Sequence, residues 1–410
     1  MIRKLSYLIL LLLICNACFN LNKLSLYDLS NQYTGTLFTS HNTAAVNDGD
    51  NVTVYVPIKM VDFISKMDDS TGRSYVKIRV STQLFSSYES KDVIDSSSVL
   101  FIDSTMSFLD TSLRLNIAYP SEGLFILKTS IVDLNRIDDV NSYLFLRNAG
   151  DGSRNDFLLS SADGEILYRN YVAEEDDLSL SFQGDEDKLI VRHYKRDFPL
   201  ALPPFIEDSD NSFNIKPDSV FILELRDGRT ENLHLVEEGF YHVQIDTNNQ
   251  RGFTIFRFPE GFPNVSTPEQ MLGPMRYITT KKEYEEIQQS SDLKLAIDNY
   301  WLQNAGNPTR ARSMIQKYYG RVAEANNYFS SYHEGWKTDR GLIFIIYGPP
   351  RVVYRGDGIE EWLYGEKGNS NSMRFRFVKI DNPYTENDYN LIKSPSYKEK
   401  WYNIVNTWRR

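Results

Sequence analysis

The sequence predicts a multidomain, mainly β protein with two antiparallel β-sandwich-like domains. An α+β domain, made of helices plus a three-stranded antiparallel meander, is predicted to follow them. The length of 410 residues suggests two to four domains at about 100–200 residues each. Short alternating apolar runs, separated by Asp, Ser, Asn and Gly, continue to about residue 263 and are typical of antiparallel strands. From residue 266 onwards the apolar positions recur at helical spacing, which marks the last domain.

The N-terminus predicts a secretory signal peptide over residues 1–17. Arg3 and Lys4 precede an apolar stretch from Leu5 to Cys15, which is shorter than the roughly 20 residues needed to cross a bilayer. Ala17-Cys18 resembles the lipobox of bacterial lipoproteins, in which the cysteine is acylated. We therefore expect lipidation at Cys18 and an anchor linker over residues 18–30. Ordinary cleavage that releases a soluble protein and an uncleaved anchor are the alternatives.

Two β-rich segments follow, which we predict as domains over residues 31–150 and 151–264. The clearest alternating runs of the first are Asn51–Met60 and Tyr75–Leu84. In the second they are Lys188–Tyr194 and Phe253–Phe258. Both segments carry turn-forming residues between the runs, as expected of sandwich-like domains.

Helix signals open the predicted C-terminal domain, residues 265–410. Thr280 and Glu283 form a capping box, and Asn307-Pro308 begins another helix. We expect Gly335 to end that helix. Three strands are predicted beyond it, at Leu342–Tyr347, Glu360–Tyr364 and Met373–Ile380.

Three spaced motifs resemble the GWxTD-domain family of bacterial envelope proteins, over about residues 265–400. They are Gly335-Trp-Lys-Thr-Asp-Arg-Gly341, Ile343-Phe-Ile-Ile-Tyr-Gly-Pro-Pro350 and Glu361-Trp-Leu-Tyr364. The resemblance implies a bacterial envelope protein, and it carries no established reaction. The motif positions that we regard as candidate site residues are Gly335, Trp336, Thr338, Asp339, Arg340, Gly341, Tyr347, Gly348, Pro349, Trp362 and Tyr364.

These motif residues favour a fold-defining corner over a catalytic centre. We expect Gly335 to permit a left-handed turn, and Trp336 to lie over the meander. Thr338 and Asp339 are short acceptors for backbone N–H groups of their own turn. Arg340 is expected to pair with Asp339 or with Glu361.

The composition and spacing of reactive residues disfavour several function classes. The net charge of −10 makes nucleic acid an unsuitable partner. The five histidines show no HxxxH or HExxH spacing, and no GxSxG, P-loop or GxGxxG is present. Both cysteines precede residue 20, so no thiol nucleophile is available in the mature chain. We therefore predict no catalytic residues, no metal site and no cofactor.

The resulting hypothesis is a lipid-anchored periplasmic protein that acts by binding, on the periplasmic face of the outer membrane. Envelope proteins are the expected partners, in an outer-membrane assembly or secretion complex. Two alternatives stay open. One is a carbohydrate- or peptidoglycan-acting enzyme, and the other is a glycan-binding accessory lipoprotein.

Overall fold

A computed structural model describes residues 24–25, 28–33, 43–104, 110–120, 122–136, 138–148, 150–195, 197–207, 216–356, 358–369 and 372–409. The predicted signal peptide, Cys18 and part of the anchor linker lie outside these residues. Among the described residues, no helix combines the length and apolar character needed to cross a bilayer. The confirmed fold class is mainly β, with several antiparallel sheets and a C-terminal helical region that carries its own small sheet.

The first β domain is a sandwich of two antiparallel sheets. One sheet has the order β1-β2-β6, and the other has the order β3-β4-β7-β8 with β5 paired to β4. Alternate residues of β2, such as Val54, and of β4, such as Ile78, are fully buried in one shared core, so the two sheets face each other. The strands are β1 (Ala44–Asp48), β2 (Asn51–Ile58), β3 (Lys66–Met67), β4 (Ser74–Phe85), β5 (Asp95–Asp103), β6 (Thr111–Ala118), β7 (Gly123–Asp133) and β8 (Asp138–Asn148).

Nine strands of the second β domain are hydrogen-bonded in one continuous order, and the sheet that they form encloses its own core. Phe157 near one end of this order contacts Phe253 near the other end, with ring centroids 6.0 Å apart. The sheet therefore folds back on itself and is sandwich-like. The strands are β9 (Phe157–Ser161), β10 (Tyr171–Val172), β11 (Asp177–Phe182), β12 (Lys188–Tyr194), β13 (Ser219–Arg226), β14 (Arg229–Thr230), β15 (Leu233–His234), β16 (Gly239–Gln244) and β17 (Phe253–Arg257).

Helices pack on one face of an antiparallel sheet in the C-terminal domain. The capping box predicted at Thr280 is present, and Thr267 forms a second one. The helices are α1 (Pro268–Met275), α2 (Lys281–Gln288), α3 (Leu293–Ala305), α4 (Pro308–Phe329), α5 (Asp339–Tyr347) and α6 (Lys398–Thr407). The sheet runs in chain order through β18 (Val352–Gly356), β19 (Ile359–Tyr364), β20 (Met373–Lys379) and β21 (Tyr389–Leu391).

One predicted element of this domain is wrong. The apolar run Leu342–Tyr347 forms the helix α5 and not a strand, because Thr338 caps its first turn and Gly348 ends it. Residues 342–346 are buried on every side of the helix. This part of the helix therefore has no polar face, and its sequence shows no apolar periodicity. The sheet accordingly begins at β18, and it has four strands where three were predicted.

A short N-terminal segment packs against this domain across almost the whole length of the chain. We call it the strap, and it comprises residues 24–25 and 28–33, of which Ser30–Tyr33 form a 3-10 turn. The strap pairs with the outer edge of β18 through the bridge Leu24–Gly356. Leu29 and Tyr33 of the strap are buried in the core of the C-terminal domain. The strap therefore belongs structurally to the C-terminal domain.

Candidate functional site

The segment from Gly335 to Gly341 forms a tight corner between α4 and α5. A Cβ atom on Gly335 would lie 2.0 Å from the carbonyl oxygen of Ala325, and one on Gly341 would lie 1.9 Å from the carbonyl oxygen of Gly335. Both positions therefore require glycine because backbone passes against backbone. The predicted left-handed turn is wrong, since Gly335 lies in a 3-10 turn. It is also not a helix cap, because α4 ends at Phe329.

Trp336 fixes the corner against α1. Its ring lies against Gly273, where an added Cβ would be 2.8 Å from the indole, and it makes an edge contact with Tyr277. The backbone N–H of Trp336 donates to the Asn326 side chain at 3.1 Å. The prediction that this ring covers the sheet is therefore wrong, because the corner turns it towards the helices.

Thr338 and Asp339 start α5 and join it to the sheet. The Thr338 hydroxyl accepts from the backbone N–H of Gly341 at 2.9 Å, as predicted for a residue that caps its own turn. The Asp339 carboxylate instead accepts from the backbone N–H of Leu391 on β21 at 2.7 Å. Lys393 lies 3.6 Å from its other oxygen. Asp339 is thus a cross-link between helix and sheet, beside a surface cavity of about 300 Å³.

Arg340 points into the core and is almost fully buried. Its guanidinium donates to the backbone carbonyl of Asn387 at 2.9 Å and lies 4.2 Å from the ring centroid of Tyr389. Its acidic neighbour is Glu360, with 3.6 Å between Nη1 and Oε2. The predicted pairing with Asp339 or Glu361 is therefore wrong. Glu361 faces the other side of the sheet and pairs with Arg374.

Glu360 is the acidic centre of a buried network that the sequence did not predict. Its side chain is completely buried, and Arg355 contacts it at 2.6 Å. Burial alone would raise the pKa of Glu360, but Arg355 and Arg340 hold that pKa below its usual value. The carboxylate in turn holds the pKa of Arg355 well above its usual range despite burial. Both groups are therefore charged in the folded protein.

Two aromatic side chains complete this network. Trp362 donates its indole N–H to Glu360 at 2.7 Å. The Tyr33 hydroxyl of the strap donates to the same carboxylate at 2.9 Å and accepts from Arg355 at 2.8 Å. A segment that is 327 residues distant in sequence thus satisfies a buried charge.

The remaining motif residues close the far end of α5. Gly348 has a φ of 90°, which glycine adopts without strain, and its carbonyl accepts from the Tyr364 hydroxyl at 2.7 Å. Tyr347 packs its ring on Tyr364. Pro349 follows Gly348 in the connection to β18, as predicted for a turn.

Arg321 of α4 is a further residue at this end, and the sequence reasoning did not single it out. It donates to the last carbonyls of α5, at 2.9 Å for Ile345 and 3.2 Å for Ile346. Its position within the helix predicted to begin at Asn307-Pro308 was a signal that the sequence offered.

The second β domain contributes a cavity of about 490 Å³ near β10 and β17. Arg257, which is 4% exposed, donates to Glu174 at 3.1 Å, while Arg169 donates to Asp176 at 2.8 Å. Tyr171 and Phe262 add an edge-to-face aromatic pair. Within the described ranges, no group of three or more His, Cys, Asp or Glu residues is placed to hold a metal ion.

The geometry defines an α+β domain whose signature residues build a buried corner between helices and sheet. Residues 239–410 match the family model of the GWxTD domain, so this part of the chain is a GWxTD domain. The match begins at Gly239, before the helices, and includes the β16–β17 hairpin. No curated protein matches the chain.

Proposed function

We propose that this protein is a lipid-anchored periplasmic scaffold that binds envelope proteins at the outer membrane. In this role the GWxTD domain is the rigid base on which the two β domains are mounted. An outer-membrane assembly or secretion complex is the proposed setting. The proposal combines the signal and Cys18 of the sequence with the architecture of the described residues.

The observation that carries this proposal is that the side chains of the motif point into the domain and not into solvent. The Trp336 ring packs against Gly273 and Tyr277. The Thr338 and Arg340 side chains make polar contacts within the domain. Side chains used in this way stabilise a shape and do not offer groups to a substrate. A protein selected for its shape suits a role in binding and positioning partners.

Contacts between the domains also support a scaffold. Phe240 of the second β domain lies 4.9 Å from Tyr384 in the β20–β21 connection of the C-terminal domain, measured between ring centroids. Tyr88, which follows β4 of the first β domain, lies under the guanidinium of Arg355. Aromatic contacts of this kind contribute about 0.5–1.5 kcal/mol each beyond buried area, and they favour fixed relative positions of the domains.

Membrane fractionation of two cysteine variants tests the anchor. Cys18→Ala should move the protein to the soluble fraction, because the acylated residue is lost. Cys15→Ala is the matched control, since it changes a neighbouring cysteine within the signal and should leave the protein in the membrane. Equal membrane retention of both variants would contradict the anchor.

Affinity purification from detergent-solubilised membranes tests the scaffold role. The wild-type protein should co-purify reproducibly with the same envelope proteins after chemical cross-linking in intact cells. The Cys18→Ala variant should recover fewer of them, because it is no longer held at the membrane. Recovery of the wild type as a lone monomer would contradict the proposal.

The cavity near β10 favours a second candidate, a glycan-binding accessory role. Aromatic rings beside carboxylates and guanidiniums, as at Tyr171 and Arg169, suit sugar faces and hydroxyl groups. Titration calorimetry with soluble peptidoglycan fragments tests it. Tyr171→Ala should abolish binding, whereas Tyr402→Ala, which changes an exposed tyrosine elsewhere, should not. Absence of binding by the wild type would exclude this role, and cleavage of the fragments would support the enzyme alternative.

A further inference from the structure

The strap connects the proposed anchor to the C-terminal end of the chain. Its backbone is fixed to β18, since Ser25 N–H donates to Arg355 O at 2.6 Å and Leu29 N–H donates to Val353 O at 2.8 Å. These bonds extend the sheet by one short outer segment, the arrangement known from peptides that add to a sheet edge.

Side chains of the strap satisfy the β18 backbone as well. The Asp28 carboxylate accepts from Val353 N–H at 2.9 Å, and the Ser25 hydroxyl accepts from Arg355 N–H at 3.1 Å. Leu29 is 3% exposed. The strap is therefore held by backbone bonds, side-chain bonds and apolar burial together.

Tyr33 fixes the end of the strap in the domain core. It is 5% exposed, and its ring centroid lies 5.2 Å from Phe329 and 5.5 Å from Trp362. Its hydroxyl lies between Glu360 and Arg355, so removing the strap would leave a buried ion pair short of one partner. The strap cannot leave without a substantial loss of stabilising contacts.

We infer that the GWxTD domain is the membrane-proximal domain, held at the bilayer by the strap through its β18 edge. This inference rests on the proposed lipid anchor at Cys18. Five residues separate Cys18 from Leu24, and an extended chain covers at most about 3.3–3.6 Å per residue, so the six steps of this tether span at most roughly 20 Å. The bridge from Leu24 to Gly356 therefore places the β18–β19 turn within that distance of the lipid.

Chain order alone would suggest the reverse arrangement, with the first β domain next to the membrane.

The tether, and not electrostatic attraction, orients the protein at the membrane. A chain with a net charge of −10 gains no attraction from anionic lipid. The orientation should thus be the same on neutral and on anionic bilayers.

The chain offers a built-in reporter, because all five tryptophans lie between Trp301 and Trp408 in the C-terminal domain. The chain from Cys18 onwards, produced without lipid, has Cys18 as its single thiol. The chain from Cys18 onwards can therefore be coupled chemically to maleimide-lipid in phosphatidylcholine vesicles that contain dansyl-lipid. Energy transfer from tryptophan to dansyl then reports how close the C-terminal domain lies to the bilayer.

The matched control moves the thiol to the far end of the first β domain, in Cys18→Ser/Ser70→Cys. Ser70 lies in the exposed turn before β4, whose other end leads to Tyr88 beside the GWxTD domain. The twelve residues of β4 span roughly 40 Å at about 3.3 Å per residue. We expect several-fold higher transfer efficiency for the Cys18-coupled protein than for the Ser70→Cys protein. Equal or lower transfer for the Cys18-coupled protein would overturn the inference.

A second variant tests the strap itself. Leu29→Ala/Tyr33→Ala, coupled through Cys18, should lose most of the transfer, because release of the strap allows the chain from Cys18 to Ala44 to extend to at most roughly 85 Å. Near-ultraviolet circular dichroism is the control that measures whether the domains of this variant stay folded. Unchanged transfer in a folded variant would show that the strap does not hold the domain. Since the lipid is attached chemically, failure here is distinguishable from absence of lipid on the native protein, which mass spectrometry measures separately.

Discussion

The Tyr33 hydroxyl offers the sharpest perturbation of the contact between strap and domain. Tyr33→Phe keeps the buried ring and removes only the oxygen that joins Arg355 at 2.8 Å to Glu360 at 2.9 Å. A hydrogen bond to a charged group contributes about 1.5–3 kcal/mol, and the two bonds are not additive because they share one oxygen. We therefore expect the C-terminal domain to lose about 2–3 kcal/mol of unfolding free energy.

Urea unfolding followed by tryptophan fluorescence measures this loss in the C-terminal domain, since no tryptophan lies before residue 301. The chain from Cys18 onwards is the protein to use, and the midpoint should fall in Tyr33→Phe. Tyr402→Phe is the matched control, because that side chain is 51% exposed, and it should leave the midpoint unchanged. A midpoint equal to that of the wild type in Tyr33→Phe would refute the reasoning, because it would mean that the strap hydroxyl does not stabilise Glu360.

Three further predictions concern the corner, the buried charge and acid stability. Gly335→Ala should lower the free energy of unfolding by about 3 kcal/mol or more, because the added Cβ collides with backbone. Gly320→Ala is the control, since its position in α4 has open space, and it should raise that free energy by about 0.5–1 kcal/mol. Thermal unfolding compares the two variants. Glu360→Gln should cost about 3–5 kcal/mol in urea unfolding, because it leaves two buried arginines without a counter-charge, and a loss below 1 kcal/mol would contradict the network. Burial lowers the pKa of His242 to about 4 in the folded protein, so between pH 6.5 and pH 4 the unfolded chain binds more protons than the folded chain. The free energy of unfolding should therefore fall by about 1.4 kcal/mol for each pH unit from pH 6.5 towards pH 4. His242→Gln should flatten that dependence, and an unchanged slope would exclude this histidine as its source.

The sequence was informative where structure is local. The capping box at Thr280 predicted a helix start correctly, because a cap needs only residues three positions apart. Strand geometry places the adjacent Glu360 and Glu361 on opposite faces, and the burial of the first and the pairing of the second with Arg374 agree with this. The match to the GWxTD domain confirmed the family that the three motifs indicated.

Prediction failed at α5 for a reason that lies in the sequence itself. The run Leu342–Tyr347 is apolar at every position, and a short buried run of this kind does not distinguish a strand from a helix by period. The flanking signals were decisive, since Thr338 is an N-cap residue and Gly348 a C-cap residue. The two caps therefore indicate a helix where the apolar pattern indicates neither structure.

The strap and the buried network were beyond sequence reasoning because their contacts are distant in the chain. Tyr33 meets Glu360 across 327 positions, and no local pattern in residues 24–33 indicates which sheet edge they join. Arg340 was assigned to the wrong acid for a related reason. Its true neighbour Glu360 could be identified only once the inward face of β19 was known.

Hydrogen exchange with mass spectrometry is the most direct test of the central claim, which is that the strap is an integral edge of the GWxTD domain. The N–H groups of Ser25 and Leu29 donate to β18, so peptides that contain them should exchange as slowly as peptides from β18 and β19. Strap peptides that exchange at the rate of an unfolded chain, while β19 stays protected, would contradict the account.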